Sequence, residues 1–202
     1  MSTERLTRRE QRAQNRLNLL EAAEVVFAER GIQGATLDEV AAEAGLTKGA
    51  VYSNFAGKED LVLAVMRHRM GQEAQAQAQR LGCPPDPERL VAEFGAHWAE
   101  SVREQERYGR VVLEFMVHAT RHPSAREELV RLMFPQEGSQ DPHPLAPPGS
   151  LLASLPADQA DAVLKALDVG MWLLATLAPE RCPPELFGTA LRLLAQREGQ
   201  KE

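Results

Sequence analysis

The residues in this chain best equipped for recognition chemistry are hydrogen-bond donors, and they crowd one short stretch. Thr47, Lys48, Tyr52, Ser53, Asn54 and Lys58 fall close together, with Gly49 and Ala50 among them and Thr36 a little upstream. Hydroxyls, an amide and ammonium groups are the donors that meet phosphate oxygens and the acceptor edges of bases. Other chemistries find less support. The chain has no Gly-rich phosphate loop, no nucleophile elbow, no zinc-protease spacing and no defensible paired-carboxylate site. His118 and His122 stand at i, i+4 and could offer Zn²⁺ two ligands. No third ligand is evident and Pro123 adjoins His122, so no metal and no other cofactor is expected. Asp168 is the lone charge between Ala166 and Ala178. It can bind a cationic ligand, pair with an arginine or point outward; lone acids mostly point outward.

Helices must position these groups. Ala (29) and Leu (26) far outnumber Val, Ile and Thr (22 together), which argues against all-β and parallel α/β folds. Leu19, Ala23, Val26, Phe27 and Arg30 keep the helical period up to Gly31, a C′ residue followed by apolar Ile32. Thr36-Leu37-Asp38-Glu39 is a capping box that opens a helix to about Ala44. Gly45-Leu46 repeats the stop, and Thr47 caps a third helix to about Asn54. Lys58-Glu59-Asp60 opens a fourth, reaching about Leu81, before Cys83-Pro84-Pro85-Asp86-Pro87 breaks the chain. Two apolar stripes follow: Leu90, Val91, Phe94, His97 and Trp98, then Tyr108, Val111, Phe115, Met116 and Ala119. Ser124 and Glu127 box a short helix to about Phe134. Residues 135–156 hold six Pro and two Gly and read as a long, mobile loop. A wide apolar helix from Pro156 to about Ala178 and a last one through Leu186 and Leu194 complete an all-α chain.

Charge is uneven. The net −6 resides wholly in residues 71–202, residues 1–70 are neutral, and residues 1–16 carry +3. An acidic total therefore does not exclude an anionic partner for the N-terminal part. No apolar run approaches the ~20 residues that span a bilayer, and the N-terminus has no apolar signal region, so no membrane partner is expected. Cys83 and Cys182 fit a reduced, cytoplasmic setting.

Two short helices joined by Gly45-Leu46-Thr47 make a helix-turn-helix over about residues 37–55, a weak signal alone. Yet the stretch from Leu19 to Val65, with LLEAAEVVFAERG, Thr36, VAAEAGLTKGAVYSNF and Lys58-Glu59-Asp60-Leu61, resembles the DNA-binding domain of the TetR family of transcriptional regulators. Asn54 is the one mild departure, at a position where the family often shows His. The resemblance implies a basic flexible arm at 1–15, a helix-turn-helix DNA-binding domain at 16–66, and an effector-binding and dimerisation domain at 67–202. A recognition helix turns its N-terminal end to base edges. Thr47 and Lys48 can then bond bases or phosphates, and Gly49 and Ala50 allow close approach. Tyr52, Ser53, Asn54 and Lys58 can donate to phosphate, and Thr36 can do so instead of, or besides, capping. The arginines of the arm can enter the minor groove or touch phosphate.

The same resemblance implies a homodimer on operator DNA, joined through the last two helices. Leu164, Leu167, Met171, Leu174, Phe187, Ala190, Leu191 and Leu194 are the candidate interface. An effector pocket is expected among Phe94, His97, Trp98, Phe115, Met116, His118, Asp168 and Trp172, each of which could equally be ordinary core. The function so implied is a DNA-binding regulator, a repressor released by a small hydrophobic effector. An all-helical enzyme or metal-binding protein, or a helical adaptor without DNA binding, is the alternative.

Overall fold

Local stop and start signals divide the N-terminal helices. The computed structural model describes residues 7–81, 87–104, 106–134 and 145–196. Helix α1 spans Arg8–Gly34 and is interrupted at Gly31, whose φ of 72° suits glycine. A Cβ there would also lie 3.2 Å from the Glu114 carboxylate oxygens. Helix α2 (Leu37–Glu43) starts on the Thr36–Glu39 capping box. It ends in a Schellman turn, with Leu46 N–H on Ala41 O at 2.8 Å and Gly45 N–H on Ala42 O at 3.0 Å. Thr47 caps α3 (Lys48–Tyr52) by accepting from Ala50 N–H. Helices α4 (Lys58–Leu81), α5 (Pro87–Glu104), α6 (Glu106–Ala119) and α7 (Pro123–Met133) follow. A 3₁₀ turn at Leu152–Ser154 precedes α8 (Ala157–Leu177) and α9 (Glu185–Ala195). No β-strand occurs among the described residues.

The arm expected at 1–15 is replaced by helix from Arg8 onward. Thr7 and Glu10 form a reciprocal capping box there, a T-x-x-E signature in plain view. The chain packs as two units. The first comprises Met1–Gln72 and Arg107–Leu129, the second Glu73–Glu106 and Val130–Glu202. The sequence reading divides the chain after residue 66, whereas this packing groups α6 with the N-terminal helices. Phe115 is fully buried there, and Glu114 and His118 bond to Gln33 and Glu59.

In the first unit, Leu19, Ala23, Phe27, Val40, Val51, Leu61, Val62, Val65 and Phe115 are buried. Glu24 and Arg69 tie α1 to α4 through two hydrogen bonds of 2.6 and 2.7 Å. In the second unit, α5 and α9 cross at a glycine pair: a Cβ on Gly95 would stand 2.5 Å from Gly188 Cα. Trp98, Leu164, Met171, Phe187 and Leu191 form the core around that crossing. The expected mobile loop is corrected over its second half. Leu145, Ala146, Ser150 and Leu152 are buried in this unit, because their apolar surface finds the α5–α8–α9 core. Residues 135–144, like Cys83, lie outside the described residues. Cys182 is a buried free thiol.

Candidate nucleic-acid interface

The helix-turn-helix is fixed from within by Val40, Ala41, Val51 and Phe55, all buried. Their burial leaves the opposite side of α3 to solvent. Thr47, Lys48 and Gly49 are exposed, Ala50 is half-buried and Tyr52 is 54% exposed. The Thr47 oxygen accepts the Ala50 N–H at 3.3 Å, which leaves its own proton to donate. Lys48 Nζ sits 2.8 Å from Asp38 Oδ2 and 5.9 Å from the Tyr52 ring centre. The Asp38 hydrogen bond holds the Lys48 ammonium above its ordinary pKa, so it stays charged. At Gly49 a Cβ would meet only Thr47 Oγ1, at 3.8 Å. Nothing inside the chain demands glycine in this helix, although glycine costs about 1 kcal/mol against alanine.

Four expected DNA contacts bond to groups within the chain, although Thr36 and Ser53 stay exposed. Thr36 Oγ1 accepts Glu39 N–H and also lies 3.0 Å from Glu39 Oε2, so its hydroxyl serves the cap. The Thr36 backbone N–H in turn holds the Glu39 carboxyl below its usual range. Ser53 Oγ donates to Ala50 O at 3.0 Å. Asn54 Nδ2 donates to Ala50 O at 2.7 Å and to Ser53 Oγ at 3.3 Å, which spends both amide protons on the end of α3. Lys58 Nζ reaches Ile32 O (2.7 Å), Gln33 O (3.2 Å) and Ala35 O (2.7 Å). An ammonium has three donors, and here three carbonyls take them.

Arg12, expected in the arm, and Arg16, the first residue of the expected DNA-binding domain, complete the site. Arg16 donates to Asn54 O at 3.0 Å and its guanidinium lies 4.4 Å over the Phe55 ring. Arg12 donates to Ser53 O at 3.2 Å. Both cations sit at the carbonyl end of α3, where the helix dipole favours them. Their i, i+4 spacing on one helix face was the available signal.

The candidate effector residues divide between the units. Phe94, His97, Trp98, Asp168 and Trp172 belong to the second. Trp98 stacks on Phe187 at 4.2 Å and donates its indole N–H to Asp168 Oδ1 at 2.5 Å. Asp168 is thus half-buried and bonded rather than pointing outward. Phe115, Met116 and His118 belong to the first. His118 Nε2 lies 2.8 Å from Glu59 Oε1, Nδ1 lies 3.2 Å from Gln33 Nε2, and its ring stacks on His122 at 3.8 Å. Among the described residues no cluster of three His, Cys, Asp or Glu side chains could hold a metal. The dimer candidates need correction. Leu164, Met171, Phe187 and Leu191 are buried in their own unit's core, Leu167, Ala190 and Leu194 are partly buried against it, and of the eight only Leu174 is exposed. The helical period marks an apolar side but does not say which partner covers it.

Residues 19–65 match the family model for bacterial regulatory proteins of the tetR family. The HTH-type transcriptional repressor BepR of Brucella suis is 43% identical over 74 residues, which cover 36% of this chain and 35% of that protein. The repressor AcnR of Corynebacterium efficiens is 31% identical over 124 residues, 58% of this chain and 63% of that protein. The chain thus spans less than two thirds of the length of these curated relatives. A solved structure of a TetR-family member from Streptomyces coelicolor A3 superposes with a TM-score of 0.66 at 25% identity, covering 89% of this chain and 98% of that one. The matched segment folds here as a helix-turn-helix, so residues 19–65 form a DNA-binding domain of the tetR family type, and the chain shares its overall fold with that Streptomyces protein.

Proposed function

We propose that this chain is a cytoplasmic, homodimeric repressor that reads operator DNA with α3 and is released by a small molecule bound in its second unit. The observation that carries the DNA reading is Gly49. It stands in the exposed first turn of α3, beside donors Thr47 and Lys48, with no internal neighbour that requires it. Close approach of an outside surface explains a glycine that the fold does not. The neutral total of residues 1–70 supports the same face, since the chain's acidity lies elsewhere. Among the described residues no helix is long and apolar enough to cross a membrane.

One recognition helix reads few bases, and a two-fold dimer doubles the site. Leu174, Leu177 and Leu193 on α8 and α9 are each more than half exposed, and Val163 and Leu186 are also exposed. Apolar residues left on the last two helices are the face a second copy would cover. Structures of similar fold are described in complex with stearoyl-CoA, for FadR of Bacillus subtilis, and with proflavin, for EbrR. An effector in the second unit of this chain would act by favouring a spacing of the two α3 helices that no longer fits the operator.

The test is fluorescence anisotropy on operator sites recovered from random DNA. Lys48→Ala should weaken specific binding about tenfold or more, or lower the salt slope by about 1, while the melting curve stays unchanged. Unchanged affinity and salt slope would refute the assignment of α3.

A further inference from the structure

We propose that the second unit binds an organic cation, held by the Asp168 carboxylate together with the aromatic cluster to which Trp98 joins it. The inference rests on the reading of this unit as an effector domain and names the ligand class. Asp168 lies on α8 with Trp172 one turn further along the same side. Its Oδ1 accepts the Trp98 indole N–H at 2.5 Å. No other hydrogen bond or ion pair among the described residues reaches this carboxylate. Lys165 acts on it only through space. An ionised carboxylate has acceptor sites for about four donors, so most of its capacity is unused.

The unused oxygen is not sealed away. Among the described residues, no fully buried side-chain oxygen or nitrogen lacks a partner. Asp168 Oδ2 has none, so it is not fully buried. Its one hydrogen-bond partner belongs to an aromatic cluster: Trp98 stacked on Phe187, Phe94 at 6.2 Å from Phe187, and Trp172 packed against the same core. Ring faces carry partial negative charge and attract weakly hydrated cations. A carboxylate with one donor, bonded to the edge of an aromatic cluster, therefore suits an alkylated or aromatic ammonium better than a neutral ligand or an anion. Burial also pushes the Asp168 carboxyl above its ordinary range, against the Trp98 hydrogen bond. A bound cation would reverse that cost by pairing with the ionised form.

The rival is a purely structural carboxylate that only satisfies the Trp98 indole. Asp168→Asn separates the two, because the amide oxygen still accepts from Trp98 while the charge is gone. The full chain is titrated with benzyltrimethylammonium and with its uncharged carbon isostere, neopentylbenzene. The readout is intrinsic fluorescence, since Trp98 and Trp172 are the chain's only tryptophans. The wild type should bind the cation at least about tenfold more tightly than the isostere. Asp168→Asn should abolish that preference and leave isostere affinity unchanged. Equal binding of both probes, or a preference that survives Asp168→Asn, overturns the cation site while leaving a ligand-binding unit in place. No response to either probe overturns the site and also counts against the effector reading.

Discussion

Lys48 Nζ sits 2.8 Å from the Asp38 carboxylate, so the cation expected to meet DNA is held across the two helices of the helix-turn-helix. Both side chains are about 60% exposed, and an exposed pair of this kind is weak. A phosphate can therefore take Lys48 from Asp38. Removing the carboxylate frees the ammonium and deletes a negative charge from the face proposed to approach DNA. Asp38→Ala should tighten DNA binding several-fold at low salt, with a steeper salt dependence. Binding that weakens would make Asp38 an organiser of Lys48 rather than a competitor for it.

Lys58 gives the second prediction. Its ammonium closes the segment between α1 and α2 by bonding three carbonyls. Lys58→Met keeps the stem and removes the donors. It should cost about 2 kcal/mol of stability in urea titration, as for hydrogen bonds to a charged group. The salt slope of DNA binding should stay as in the wild type. A slope lowered by about 1 with stability intact would restore Lys58 to the DNA surface.

The third concerns Arg16, whose hydrogen bond and ring contact pin the end of α3. Arg16→Ala should lose roughly 1–2 kcal/mol of stability, because a half-buried charged hydrogen bond and a cation–π contact go together. Arg12→Ala, at a more exposed bond, should lose less. Equal and negligible losses in both variants would show that neither brace matters.

At the α5–α9 crossing, propensity and packing give opposite signs. Helix propensity alone says Gly95→Ala gains about 1 kcal/mol. The 2.5 Å approach of Gly188 Cα says the helices must separate, a cost of about 1–3 kcal/mol for overpacking. The net result should be destabilisation, read from the thermal melt; a raised midpoint would contradict the crossing.

Burial of Asp168 sets a pH dependence. Desolvation raises its folded pKa, so its folded state favours the protonated form. The stability this gives is present below the unfolded carboxylate pKa and is lost as pH rises through the folded value. Asp168→Asn should therefore gain stability relative to the wild type as pH rises from the acid range toward neutrality. A difference independent of pH would mean that Asp168 is not desolvated.

What could be read from the sequence was whatever is local. Gly31, Gly45, the Thr36–Glu39 box and the Thr47 cap each act within a few residues of themselves, and the structure keeps them all. What could not be read depends on partners far along the chain. Lys58 finds carbonyls more than twenty residues away, Gly95 meets Gly188, and Leu191 disappears into a core while Leu193 stays outside. Residues 145–152 have no period to read, yet they pack because a hydrophobic core lies beside them. The Thr7–Glu10 box is local and legible, although the basic charge around it equally suits a flexible arm.

If α3 reads a two-fold symmetric DNA site, the sequences it selects must show that symmetry. The direct measurement is selection of bound sequences from random duplex DNA by the purified wild-type chain and by Lys48→Ala. The wild type should enrich one inverted repeat with half-sites about one helical turn, or a multiple, apart, and Lys48→Ala should lose the enrichment while remaining folded. Recovery of no common sequence by the wild type, or of the same repeat with equal enrichment by Lys48→Ala, would contradict it.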